Sequence, residues 1–169
     1  MRVGITASRE GMTTLQRDAF RRDILALEAF SSPGCEFHHG GCVGGDTEAS
    51  HILKAEEALL PVQVVCHPSN ILSMTGKFFA HKIFPAKKPL DRNKDIVDSV
   101  TMLYVCPKSD HEELRSGTWA TCRYARKRGV EVRIIWPDGS VSIENQGVSN
   151  ELSATPSDEG AVPRSGISA

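Results

Sequence analysis

Four short segments of this chain combine hydroxyl, glycine and charged residues in patterns that suit an anionic ligand. The first segment, residues 6–9, contains Ser8, whose hydroxyl can donate to a phosphate, and Arg9, whose planar guanidinium fits a phosphate or a carboxylate. Taken alone, these residues favour a plain polar loop with a solvent-exposed arginine. A binding role for Ser8 and Arg9 is indicated only in combination with the other three segments.

The second segment, residues 38–46, places four glycines within six positions before Asp46. Glycine lets the backbone approach a ligand closely and adopt positive φ angles. Asp46 is a candidate N-cap of the next helix, whose free N–H groups favour an anion, and its carboxylate could instead accept from a ribose hydroxyl. One tight turn needs fewer glycines, which favours a ligand-binding role for this segment. The glycines are Gly40, Gly41, Gly44 and Gly45.

The third segment begins at Pro89 and places Arg92 in the first turn of a predicted helix, next to Asn93. A cation at that position opposes the helix dipole, which is unfavourable for stability unless the cation meets an anion. We therefore expect Arg92 to point into a cleft and to bind a phosphate or carboxylate of the ligand.

The fourth segment lies immediately before another predicted helix. The hydroxyls of Ser116 and Thr118 and the N–H groups of Gly117 and Thr118 can bind a phosphate, and Arg115 lies beside them. Serine or threonine before a helix often serves only as a cap. Two hydroxyls, a glycine and an arginine together indicate more than a cap.

Metal-ligating residue types occur near the glycine-rich segment, but their spacing does not predict a metal site. His38 and His39 are neighbours on a predicted strand, so their side chains point to opposite faces of the sheet. Cys42 lies inside the glycine-rich turn, and no second ligand pair with zinc spacing accompanies it or Cys35. We therefore expect no metal and no resident cofactor.

Strand and helix patterns alternate along the chain, which predicts an α/β fold. We expect a single Rossmann-like domain with a mainly parallel sheet and helices on both faces. Ligands bind such sheets beyond the carboxyl ends of the strands, where the candidate segments fall. The predicted strands are 2–6, 36–39, 62–66, 102–106, 130–136 and 141–143; the predicted helices are 15–30, a helix after Asp46, 91–100 and 117–128; and the connection around 73–88 is a candidate lid.

Composition bounds the class of protein. The chain has 169 residues, of which 40% are apolar and 24% charged, as in one globular domain. No apolar run approaches the roughly 20 residues of a membrane span, and the start lacks a signal-peptide pattern. Five cysteines without paired spacing favour a reducing cytoplasm. Residues 144–169 are rich in Ser, Gly, Pro and acids, which predicts a flexible tail after a domain at 1–143.

In their order, the four segments resemble the motifs of the SLOG superfamily of Rossmann-like nucleotide-binding proteins. That superfamily includes the DNA-processing protein DprA, the cytokinin-activating LOG enzymes and the YpsA-related proteins. The similarity covers about residues 1–139 and is greatest to small stand-alone YpsA-like members, which are often found in phages. The matching residues are Ala7-Ser8-Arg9; 40–46 with Ala49; Pro89 with Arg92-Asn93; and Ser116-Gly117-Thr118 with Thr121 and Ala125.

The resemblance implies a pocket for a nucleotide or a nucleotide-derived, ADP-ribose-like molecule. LOG-type phosphoribohydrolases pair the arginine of the third motif with a glutamate in the fourth. Here Thr121 occupies the position expected for that glutamate, and Leu114 and Arg115 replace the glycines before the Gly-Thr pair. Whether the protein is an enzyme therefore stays open, and an enzyme of this type would be a nucleotide N-glycosidase.

Three functions compete. We rank first a protein that senses or sequesters a nucleotide-derived small molecule, with a homo-oligomer as a possible assembly. The second is an N-glycosidic hydrolase in which Arg92 holds phosphate and Asp46 or Glu112 supplies the carboxylate. The third is single-stranded nucleic-acid binding; we rank it last and expect no nucleic-acid partner, because the helix dipole alone explains basic residues at a helix C-terminus. Its patch would comprise Arg123, Arg126, Lys127 and Arg128, with Trp119 or Tyr124 stacking on bases.

Overall fold

One mixed sheet of seven strands forms the centre of the molecule, which a computed structural model describes over residues 1–144. The strand order is β4-β3-β2-β1-β5-β6-β7, and every neighbouring pair is parallel except β6 and β7. The strands are β1 (Arg2–Ala7), β2 (Glu36–His39), β3 (Gln63–Cys66), β4 (Lys82–Ile83), β5 (Met102–Cys106), β6 (Glu131–Ile135) and β7 (Val141–Glu144).

Helices cover both faces of this sheet, which confirms the predicted α/β Rossmann-like fold. Buried side chains of α1 and α2 pack in one apolar cluster with β1, β2 and β3, whereas those of α3 and α4 pack in a second cluster with β5 and β6. The helices are α1 (Thr14–Leu25), α2 (Gly45–Ala55), α3 (Pro89–Ser99) and α4 (Gly117–Lys127), with short 3₁₀ turns at Glu28–Ser31 and Leu72–Met74.

The first helix is shorter than predicted. Its start is fixed by a capping box in which the Thr13 hydroxyl accepts from the Gln16 N–H and the Gln16 side chain accepts from the Thr13 N–H, both at 3.0 Å. It ends at Leu25, because Leu27 is extended, with φ −76° and ψ 90°. Phe30 still enters the core from the 3₁₀ turn that follows, so the apolar pattern continues beyond the helix.

The last strand includes the first residue of the predicted tail. Glu144 pairs with Val132 in the sheet, and its carboxylate accepts two hydrogen bonds from Arg126, at 2.7 and 2.9 Å. The rest of the predicted tail, 145–169, lies outside the described residues. Within residues 1–144, no helix has the length and apolar character needed to cross a membrane.

Candidate functional site

A cavity of about 500 Å³ opens at the carboxyl ends of β1, β2 and β5. This is the edge at which open parallel sheets bind their ligands. Each of the four candidate segments contributes to its wall, so the structure brings together residues that lie far apart in the sequence. The predicted residues that line the cavity are Ser8, Arg9, Asp46, Arg92, Asn93, Arg115, Ser116, Gly117 and Thr118.

The first turn of α4 faces this cavity. Ser116 is its N-cap, and the hydroxyl of Ser116 accepts from the Trp119 N–H at 3.4 Å. The N–H groups of Gly117 and Thr118 belong to the first turn, for which an α-helix has no acceptors of its own. A Cβ placed on Gly117 would meet nothing within 4 Å. This helix end is therefore open to an anion, which both the free N–H groups and the helix dipole would stabilise.

Arg92 lines the floor of the cavity and is only 5% exposed. Its Nη2 donates to the Cys42 sulfur at 2.7 Å, and its Nη1 lies 3.7 Å from the Asp46 carboxylate. Its Nε is buried and has no hydrogen-bond partner within the described part of the chain. The guanidinium is thus held by the protein through both Nη atoms, while its buried Nε is an unsatisfied donor, a feature that calls for an explanation.

The carboxylate of Asp46 holds the turn that precedes α2, and the prediction that it could cap that helix is wrong. It accepts from the N–H of Gly40 at 3.1 Å and from that of Cys42 at 3.5 Å. The N-cap of α2 is Gly44. Burial raises the pKa of Asp46, and the neighbouring Arg92 guanidinium opposes that shift.

The four glycines of the second segment do not line the cavity; each is packed against other parts of the protein. A Cβ at Gly40 would overlap the Arg92 guanidinium, and one at Gly41 would lie 2.8 Å from the Cys66 sulfur. A Cβ at Gly45 would overlap the Cβ of Ala7, and Gly44 lies against the backbone of the loop after β1 with φ 90°. The close backbone approach predicted for a ligand is therefore made between elements of the fold.

Asn93 and Thr121 connect α3 to α4. The Asn93 Nδ2 donates to the Thr121 Oγ1 at 2.8 Å, and that hydroxyl donates to the Gly117 carbonyl at 2.8 Å. Thr121 is buried, so the position at which a LOG-type glutamate is expected is filled by a structural hydrogen-bond network. Asn93 reaches the cavity from the same network.

Three carboxylates line the cavity, and Glu112 is not among them. Glu112 binds Arg123 at 3.0 Å and Arg126 at 2.8 Å, and these hydrogen bonds lower its pKa. The lining carboxylates are Glu10, Asp46 and Glu113. Glu113 accepts from the Ser109 hydroxyl at 2.6 Å, which orients one of its oxygens. Of the carboxylates proposed for catalysis from the sequence, Glu112 therefore lies outside the cavity and Asp46 is engaged with the turn.

Several residues that line the cavity are not predicted from the sequence. Lys108 follows β5 by two residues, so the rule that ligands bind beyond strand ends could have found it. Glu10 adjoins Arg9 in the first segment. Val43, Met74 and Leu90 carry no chemical signal, because aliphatic residues in loops are common, and Met74 comes from a distant segment.

The segment around 73–88, a candidate lid, is bound to the glycine-rich turn and to α2. The Val43 N–H donates to the Met74 carbonyl, and the Gly76 N–H donates to the Gly41 carbonyl, both at 2.9 Å. His51 reaches the carbonyl of Lys77 at 2.6 Å. Met74 is thus part of a fixed cavity wall.

Three of the four basic residues predicted for the nucleic-acid patch, all except Lys127, are engaged with acidic partners. Arg123 and Arg126 bind Glu112, Arg126 also binds Glu144, and Arg128 binds Asp98 at 2.9 Å. Trp119, a candidate for base stacking, is buried against Trp136. These contacts leave the proposed nucleic-acid patch with little free charge.

The histidines near the glycine-rich turn are buried and hydrogen-bonded. His38 Nδ1 lies 2.9 Å from His67 Nε2, whereas His39 faces the other side and bonds the Phe79 carbonyl at 3.1 Å. Burial lowers the pKa of His39 to about 3 and that of His67 to about 4. Within residues 1–144, no three metal-ligating side chains converge.

Comparisons with known proteins show the fold of this chain but do not assign it to a family. No protein-family model matches the sequence, and no curated protein matches it. Among solved structures, the molybdenum cofactor binding protein from the phototrophic bacterium Rippkaea orientalis superposes with a TM-score of 0.56 at 18% identity. That likeness covers 80% of this chain and 76% of the other.

Two further solved structures share the architecture. DNA processing protein A (DprA) from Streptococcus pneumoniae gives a TM-score of 0.55 at 16% identity, over 79% of this chain and 49% of its own length. The protein designated TM1055 gives 0.51 at 14% identity, over 78% of this chain and 71% of its own. At these identities the likeness shows the Rossmann-like fold alone. This chain spans about half of the DprA chain.

Proposed function

We propose that this protein binds a nucleotide or a nucleotide-derived, ADP-ribose-like small molecule and acts as a sensor or sequestering protein in the cytoplasm. We place it with the small YpsA-like members of the SLOG superfamily that phages often encode. The proposal requires no resident metal or cofactor, and its partner is the small molecule itself.

The open first turn of α4 carries this proposal. It combines unoccupied space at Gly117, two free N–H groups and a hydroxyl from Thr118 at the wall of one cavity. Four cations line the same cavity: Arg9, Arg92, Lys108 and Arg115. Helix N-termini with nearby cations are the usual protein environment of a phosphate. A volume of about 500 Å³ lies within the range of small-molecule sites.

The buried Nε of Arg92 supports the same conclusion. A buried donor without an acceptor is costly, and ligand or water oxygens usually satisfy such groups. A phosphate could reach this buried donor only if the Arg92 side chain moves toward the cavity that it lines. One structural neighbour is a molybdenum cofactor binding protein, which is consistent with a small-molecule site on this fold.

Binding without turnover is favoured because the catalytic carboxylate of LOG enzymes has no counterpart at Thr121. The hydrolase alternative rests on Glu113, a carboxylate that lines the cavity and is oriented by Ser109. Incubation with AMP, ADP-ribose and NAD should release little free base. Multiple turnovers that are lost in Glu113→Gln would make the hydrolase the better account.

Calorimetry on the double variant Gly117→Val, Thr118→Ala tests the proposal. We expect wild-type protein to bind ADP-ribose or AMP, and we expect the variant to lose binding by at least about tenfold, the scale of one charge-assisted hydrogen bond. Thr14→Ala is the matched control, since it removes a first-turn threonine from α1, away from the cavity. Unchanged affinity in the double variant would mean that the fourth segment only caps α4 and does not bind the ligand.

A second measurement does not depend on choosing the ligand. Native mass spectrometry of protein purified from cells should show a bound nucleotide-derived mass, and the double variant should lack it.

A further inference from the structure

The cavity has two chemically different ends. Because β2 and β5 lie on opposite sides of β1, the loop after β2 and the loop after β5 form opposite walls. The β5 side carries charged and hydroxyl groups, including Lys108, Arg115 and Ser116. The β2 side carries Cys42, Val43 and Met74, together with Asp46, whose carboxylate is engaged with the turn after β2.

The first residues of α3 extend the apolar end. Pro89 and Leu90 line the cavity one turn before Arg92, whose guanidinium lies against Gly40 and Cys42 of the turn after β2. Beside the paired Asp46 and Arg92, this end presents four apolar side chains: Val43, Met74, Pro89 and Leu90. We call this set the aliphatic wall.

The aliphatic wall leaves much apolar surface exposed to solvent. Val43 is 47% exposed and Leu90 is 60% exposed, although both line the cavity. Single exposed aliphatic side chains are ordinary, but several that converge in one cavity mark a surface that a ligand covers.

The backbone holds the aliphatic wall in place. Met74 is bound through its carbonyl to the Val43 N–H, and Gly76 is bound to Gly41. A side chain at Gly76 would overlap the Thr47 hydroxyl, so the segment can lie this close only because a glycine is present there. A preformed apolar surface costs little ordering entropy when a ligand binds.

We propose that the aliphatic wall holds the base of the ligand while its phosphate lies at the α4 end. This inference rests on the proposed function, since it assigns the second end of the same site. A nucleobase is planar and apolar on its faces. Aliphatic side chains pack against these faces and form no hydrogen bonds with the polar edge of the base. The site should therefore require a base and discriminate weakly between bases.

Calorimetry with AMP and ribose 5-phosphate separates the two ends. In the wild type, AMP should bind at least about tenfold more tightly than ribose 5-phosphate, because only AMP covers the aliphatic wall. GMP should bind within about threefold of AMP, since aliphatic side chains do not read the base edge. In Val43→Ser, Leu90→Ser, the advantage of AMP over ribose 5-phosphate should fall below about threefold, with ribose 5-phosphate itself unchanged.

Leu59→Ser is the matched control, because Leu59 is 63% exposed and does not line the cavity. It should leave both affinities unchanged, and thermal melting should show both variants folded. Equal wild-type affinities for AMP and ribose 5-phosphate would overturn the aliphatic wall while leaving the phosphate site intact. A large preference between AMP and GMP would also overturn it. Failure of both compounds to bind would count against the proposed function itself.

Discussion

Two turns of this molecule follow strands, contain glycine and begin helices, yet their glycines serve opposite purposes. In the turn before α2, the glycines make room for the protein's own atoms, among them the Arg92 guanidinium at Gly40 and the loop after β1 at Gly44. At the start of α4, the single Gly117 faces empty space. The glycines of the turn before α2, the first turn, therefore allow close packing within the protein. The start of α4, the second turn, is exposed to the cavity.

The number of glycines in a turn is thus a poor guide to a ligand site. What matters is the neighbour that a Cβ would meet at each position. The turn with many glycines brings Asp46 and Arg92 together beneath the cavity, and the turn with one glycine offers free N–H groups to its interior. The two turns act together, because the first fixes the floor against which a ligand at the second would lie.

The largest effect should come from Gly44→Ala, which tests the packing role of the first turn. The new Cβ would lie 2.5 Å from the Arg9 carbonyl oxygen and 2.7 Å from that of Ser8, at a φ of 90°. Strain and backbone overlap together should lower the free energy of unfolding by about 4 kcal/mol or more. Urea titration measures this loss.

Gly34→Ala is the control for Gly44→Ala. Gly34 has φ 86° and no atom within 4 Å of an added Cβ, so it isolates the conformational cost. That cost should be about 1 kcal/mol. Equal losses at both positions would show that the packing at Gly44 contributes nothing.

Arg92→Ala should have the next largest effect. The helix dipole alone, read from the sequence, predicts no stabilising role for this side chain. In the structure, Arg92 is the counter-ion of buried Asp46, so its removal should cost about 3 kcal/mol by leaving a buried carboxylate unpaired. Urea titration of the single variant measures that cost.

A double-mutant cycle with Asp46→Asn checks this origin. If the unpaired charge causes the loss, Arg92→Ala should cost much less in the Asp46→Asn background. An equal cost in both backgrounds would assign the loss to packing of the arginine stem instead.

The Asp46–Arg92 pair illustrates which features of the site the sequence predicts and which it does not. Strand–helix alternation predicted the parallel sheet, and the strand-end rule drew attention to residues that line the cavity, such as Ser8 and Thr118. The contact between residues 46 and 92 depends on how two helices pack over the sheet, which no local pattern encodes. For the same reason, nothing in the sequence around Met74 predicted that it would form a cavity wall.

The buried histidines beneath the first turn should make stability depend on pH. His67 is almost fully buried and its pKa falls from 6.5 to about 4, so the unfolded chain takes up a proton first as the pH drops below 6.5. The folded state therefore loses stability between pH 6.5 and about 4. For His67 alone, the loss from about pH 7.5 to about pH 5 should be about 2 kcal/mol.

Urea titrations at the two pH values measure this loss in the wild type and in His67→Gln. The variant should show a smaller decrease, because the amide does not titrate. An unchanged pH dependence in His67→Gln would mean that burial does not lower the pKa of His67 in the folded state.

The smallest effect on stability should come from Gly117→Ala, which tests the open character of the second turn. Because nothing lies within 4 Å of the new Cβ and the residue is helical, the variant should change the free energy of unfolding by less than about 1 kcal/mol, toward greater stability. The same Cβ would project from the first turn of α4 into the space where we place the phosphate, so affinity for ADP-ribose should fall while the fold gains. A gain in stability together with a loss of affinity, both caused by one added Cβ, is not expected of a glycine whose role is purely structural. A destabilised Gly117→Ala with unchanged affinity would make the second turn a packing device like the first and move the ligand elsewhere in the cavity.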